Sequence, residues 1–162
     1  MNYSSLFERF SPLSKVWIYQ FESPLNKTMS DLFLRDLTDF TTSWTSHSNK
    51  LQADAVIIHN HFVVFAVNDL VQGASGCSID KSVLFLKNWG MHHHVNFFDR
   101  MTIPICVDDN LVFMHLQEIK KRLTVDYAFK QAFYFDNSLS ILSQLRTQWI
   151  KPLMEAPFLN KI

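Results

Sequence analysis

One short stretch of this chain gathers the residue types that chemistry needs. Ser75-Gly76-Cys77-Ser78 places a thiol between two hydroxyls, inside a run (Gln72 to Ser82) that holds two of the three glycines and one of the two cysteines. The most strand-like segment, Phe62 to Val67, precedes it, and an apolar helical pattern, Ile79 to Trp89, follows it. A small-residue turn from strand into helix leaves backbone N–H groups directed outward, where they can meet an anion. At such a position Cys77 could act as a nucleophile, with His47 as its base and Ser75 and Ser78 beside a developing oxyanion. The same residues also suit a capped turn, because Ser78 caps helices well and cysteine is often simply buried.

Trp44 and His47 end a second helical pattern. Trp44 continues its apolar stripe, and a histidine near a helix C-terminus is favoured by the dipole alone. They join the candidate ligand set (Ser75, Gly76, Cys77, Ser78, Trp44, His47) only through the expected topology. The other histidines suggest a metal at most weakly. His59, His61, His92 and Asp99 are the ligand types of zinc or iron, but their spacing matches no recognised pattern, and three consecutive histidines (His92 to His94) cannot all face one ion. No metal and no cofactor are expected. Asp108 and Asp109 read as caps, Asp99 and Arg100 as ion-pair formers, and Lys120-Lys121-Arg122 as a solvated basic face.

These candidates must be positioned by a core of limited size. The 162 residues suit one globular domain, with 48% hydrophobic and 19% charged residues. Fifteen basic and fifteen acidic residues leave no net charge, which argues against a nucleic-acid partner. No signal-peptide pattern opens the sequence, and its longest apolar run is far short of the ~20 residues of a membrane helix. The expected setting is cytoplasmic, with no membrane partner. Two cysteines do not make a disulfide framework.

The periodicities predict a strand over 16–21, then a helix from Asn26 to Trp44 with Met29, Phe33, Leu37 and Phe40 on one face. Strands at 53–58 and 62–67 follow, joined by His59-Asn60-His61, and then the second helix with Gly90 as its cap. Residues 95–107 read as a further strand. This βαββαβ order is that of the ferredoxin-like split unit, an antiparallel sheet with both helices on one face. Residues 1–107 would form that unit and 108–162 a helical extension, with helices expected over 111–123 and 139–150. In this topology the end of the first helix lies near the start of the second, which brings Trp44 and His47 toward Cys77.

Four motifs carry a resemblance: Trp17-Ile18-Tyr19-Gln20, Trp44-Thr45-Ser46-His47, Ala74-Ser75-Gly76-Cys77-Ser78-Ile79-Asp80 and Phe97-Phe98-Asp99-Arg100. Together they resemble an uncharacterised family of small bacterial proteins whose members are sometimes labelled ABC transporter ATPases. The residues argue against that label. A Walker A loop needs spaced glycines followed by Lys and Ser or Thr, and no Gly-Lys pair occurs in the chain. The resemblance implies a shared design and supplies no mechanism.

The leading expectation is a non-catalytic binding or interaction module that takes a small anionic ligand or a protein partner at the Gly73–Asp80 turn. The alternatives are a thiol-dependent enzyme using Cys77 and His47, and a structural homo-oligomeric assembly protein whose apolar sheet face is buried against another copy; for the binding module a homodimer is open.

Overall fold

The computed structural model of the chain describes residues 2–68, 70 and 73–160. It is a mixed α/β protein with four α-helices and antiparallel sheets among the described residues. The chain divides into two compact units, residues 1–98 with 138–147, and residues 99–137 with 148–162. Among the described residues, no helix is long and apolar enough to cross a membrane.

The first unit is built on β1 (Lys15–Gln20), β4 (Ala53–Ile58) and β5 (Phe62–Val67), in the order β1-β5-β4. Every pairing is antiparallel, with Trp17 opposite Phe65 and Ala55 opposite Phe65 on the other side. Central β5 is buried at all six positions, as expected of a strand covered on both faces. Its residues alternate between those faces. Val63, Phe65 and Val67 join a cluster with Phe33 and Leu37 of α1 (Lys27–Ser43) and with Leu86 and Trp89 of α2 (Gly76–His93). Each such aromatic or aliphatic side chain contributes roughly 2 kcal/mol on burial. Phe62, Val64 and Ala66 on the opposite face are equally inaccessible, so neither face of the central strand is open to a second copy.

Local chemistry sets the element ends. The Asn26 side chain accepts the Met29 N–H at 2.9 Å and starts α1, whose last residue is followed by extended backbone at Trp44. Between α1 and β4 lies a short hairpin, β2 (Thr45–Ser46) and β3 (Asn49–Lys50). His47 and Ser48 turn it with φ of 47° and 69°, and His59 and Asn60 turn β4 into β5 at 53° and 57°. The left-handed backbone is a tight-hairpin conformation that His and Asn accept more readily than β-branched residues.

The second unit holds β6 (Thr102–Val107), β7 (Asn110–His115), α3 (Leu116–Val125), β8 (Phe133–Phe135) and β9 (Ile150–Pro152), with sheet order β7-β6-β8-β9. Its core gathers Ile105, Met114, Ile119, Phe129 and Leu153. The Lys151 ammonium reaches the Asp136 carboxylate at 2.6 Å, and that bond raises the lysine's pKa.

The fourth strand and the C-terminal segment depart from the sequence expectation. Three strands take the neighbours of a ferredoxin-like sheet, but the expected fourth, 95–107, does not complete it. Only Thr102–Val107 is a strand, and it pairs with β7 and β8. The free edge of β1 is met instead by residues just before α4 (Leu142–Gln148): the Val16 N–H donates to the Ser140 carbonyl, and Lys15 bridges to Ile141. Residues 108–162 likewise supply three strands as well as helices. Asp108 and Asp109 are not caps but a hairpin turn, with φ of 47° and 63°, which folds Asn110–His115 back onto β6. The expected helix over 111–123 therefore begins only at Leu116.

Candidate functional site

The start of α2 is held by hydroxyls. Ser75 is the N-cap, and its Oγ accepts the Ser78 N–H at 3.3 Å while the Ser75 N–H donates to Ser78 Oγ at 2.7 Å. This is a capping box with serine in the place usually taken by Glu or Gln. The Ser78 hydroxyl also donates to the Ser75 carbonyl at 2.7 Å.

The end of α1 and the β2 strand brace this turn from outside. Trp44 Nε1–H donates to the Ser78 carbonyl at 2.8 Å, Ser46 Oγ–H to Ser75 Oγ at 2.9 Å, and the Lys81 ammonium to Thr45 Oγ1 at 3.1 Å. Trp44, Ser46 and Ser78 are buried, and a buried bond of this kind contributes about 1 kcal/mol net. Trp44, Ser75 and Ser78 thus come together. Ser46, Thr45 and Lys81 belong to the same cluster and were absent from the candidate set. The signal available for them was their place within the Trp44–His47 and Gln72–Ser82 stretches.

Cys77 is exposed as a free thiol in the first turn of α2, and a side chain added at Gly76 would meet nothing within 4 Å. His47 is exposed in the β2–β3 turn, and no hydrogen bond joins it to Cys77. The hydroxyls of Ser75 and Ser78 are both engaged within the turn, so they do not stand ready for an oxyanion. No acidic residue lies in the first turn of the helix. What the turn offers is one end of a helix of 18 residues, with the exposed Gly76 and Cys77 in front and Lys81 one turn behind.

The remaining candidates have separate local roles. His59 pairs with the Tyr3 hydroxyl at 2.8 Å, and partial burial, followed by the charge of His61, lowers its pKa. His61 Nδ1 lies 3.0 Å from the Phe21 carbonyl, and His92 Nδ1 lies 2.7 Å from the Asn88 carbonyl. Asp99 accepts from the Met101 N–H and the Thr102 hydroxyl. Among the described residues, no group of three or more His, Cys, Asp or Glu side chains is arranged to hold a metal ion. Cys106 is half-buried, and burial, then the Asp109 charge, raises its pKa, which keeps it a thiol.

Comparison with protein-family models, with curated proteins and with solved structures returned no match.

Proposed function

We propose that this chain is a cytoplasmic, non-catalytic binding module that takes a small anion, or an acidic group of a partner, at the N-terminal turn of α2. The observation that carries this reading is the bracing of the turn by Trp44, Ser46 and the Lys81–Thr45 bond, which fixes the exposed residues Gly76 and Cys77 at a helix N-terminus whose first turn holds no acid, Asp80 following one turn on. A helix N-terminus favours negative charge through its oriented N–H groups and its dipole. Lys81 lies four residues after Cys77, so it adds a positive charge on the same helical face. The β1-β5-β4 order, with α1 and α2 sharing one core with β5, supports a ferredoxin-like arrangement of the first unit that lacks the fourth strand. The four motifs support kinship with the uncharacterised bacterial family.

Titration with inorganic phosphate, followed by amide chemical shifts, tests this reading. Saturable shifts centred on Gly76 and Cys77, weakened in Lys81→Met, are the expected outcome. Absence of any saturable change there removes the proposal.

The exposure of Cys77 at a helix N-terminus favours one second reading, a thiol-dependent enzyme with His47 as base. It requires His47 to reach the thiol. The rate of Cys77 alkylation by iodoacetamide should then fall in His47→Ala, whereas the binding reading expects an unchanged rate.

A further inference from the structure

At the other end of α2 the chain forms an open trough. Gly90 lies within the helix, and a Cβ there would come within 2.3 Å of the Val95 carbonyl oxygen. The missing side chain lets the segment after the helix fold back against it. His94 caps the helix in the left-handed conformation, and the N–H groups of His94 and Val95 both donate to the Gly90 carbonyl. Residues 95–98 then run beside the helix face that carries Leu84, Lys87 and Met91. The space between them is about 610 Å³, within the roughly 300–1,000 Å³ range of small-molecule sites.

The lining chemistry selects a ligand class. Phe97 is buried beneath the trough, while Leu84 and Met91 are 58% and 69% exposed and together present a continuous apolar wall to it. One cation stands over this apolar surface. The Lys87 ammonium lies 5.9 Å from the centre of the Phe98 ring, and it forms no ion pair with a described residue. No acidic side chain lines the trough.

We propose that this trough binds a small carboxylic acid with an aliphatic body, whose chain lies over Leu84, Met91 and Phe97 and whose carboxylate meets Lys87. This site goes beyond the anion reading at the start of α2 and does not depend on it. Phosphate at the turn and an alkyl acid in the trough are followed through different resonances.

The test uses three probes of equal chain length on the whole protein: sodium octanoate, 1-octanol and octyltrimethylammonium. Binding is read from the methyl shifts of Leu84 and Met91. Octanoate should bind saturably and about fivefold more tightly than octanol, the scale of one exposed charge pair. Lys87→Met should bring octanoate down to the octanol level and leave octanol unchanged. Met91→Glu, a substitution at an exposed helix position, should weaken octanoate further than Lys87→Met does. Equal affinity for octanoate and octanol, preference for the ammonium probe, no effect of Lys87→Met, or no saturable shift in the millimolar range would each overturn the proposal.

Discussion

The two ends of α2 are built on opposite plans. At its start, polar side chains close the turn: two serines cap each other, Trp44 and Ser46 add bonds from the preceding segment, and Lys81 of α2 reaches back to Thr45. At its end, closure comes from one missing side chain. Gly90 admits the returning backbone, and two N–H groups share its carbonyl. The first plan uses most of the polar groups it gathers and leaves Gly76 and Cys77 exposed. The second leaves an apolar trough with a single cation. Hydrogen bonds therefore fix one end and shape fixes the other, and each kind of closure exposes the surface that it does not consume.

Substitutions at the two ends should separate these plans. The largest effect is expected for Gly90→Ala. Its Cβ would strike backbone, and a penalty of about 3 kcal/mol outweighs the roughly 1 kcal/mol by which Ala favours a helix, a net loss near 2 kcal/mol in urea unfolding. Trp44→Phe keeps a ring but deletes the side-chain bond to the Ser78 carbonyl, which keeps only its place in the helix ladder, and with the lost ring area this costs about 1.5 kcal/mol. Ser75→Ala removes the cap and one partner of Ser46, for about 1 kcal/mol. Cys77→Ser should stay within about 0.5 kcal/mol, because nothing packs on an exposed thiol. If Gly90→Ala were neutral while Ser75→Ala unfolded the protein, the contrast between the two ends would collapse.

Much of the first unit was legible from residue patterns. The strands 53–58 and 62–67 stand out because apolar, largely β-branched and aromatic runs flank a turn containing Asn60, and the α1 stripe repeats at helical spacing from Met29 to Trp44. The βαββ order places the end of α1 beside the start of α2, as the Trp44–Ser78 bond shows. The saturation of Ser75 and Ser78 and the contacts of Ser46 and Lys81 depend on rotamers, which residue order does not carry. Gly90 reads as a cap in the sequence but lies inside α2, because a glycine near a helix end signals both a terminus and a close approach. Only the position of Val95 distinguishes the two. The second unit was harder to read. Val112, Leu116, Ile119 and Leu123 fit one helical face, yet the left-handed pair Asp108–Asp109 turns the first of them into a strand. Aspartate carries no mark that separates a cap from a hairpin turn.

The proposed role of the α2 turn, a fixed anion-binding surface and not a catalytic thiol site, is open to direct test. Amide shifts of Gly76 and Cys77 under inorganic phosphate, in the wild type and in His47→Ala, test it most directly. The account expects saturation at these two amides in both proteins, with Cys77→Ser binding as the wild type does. Unmoved amides at saturating phosphate would contradict it.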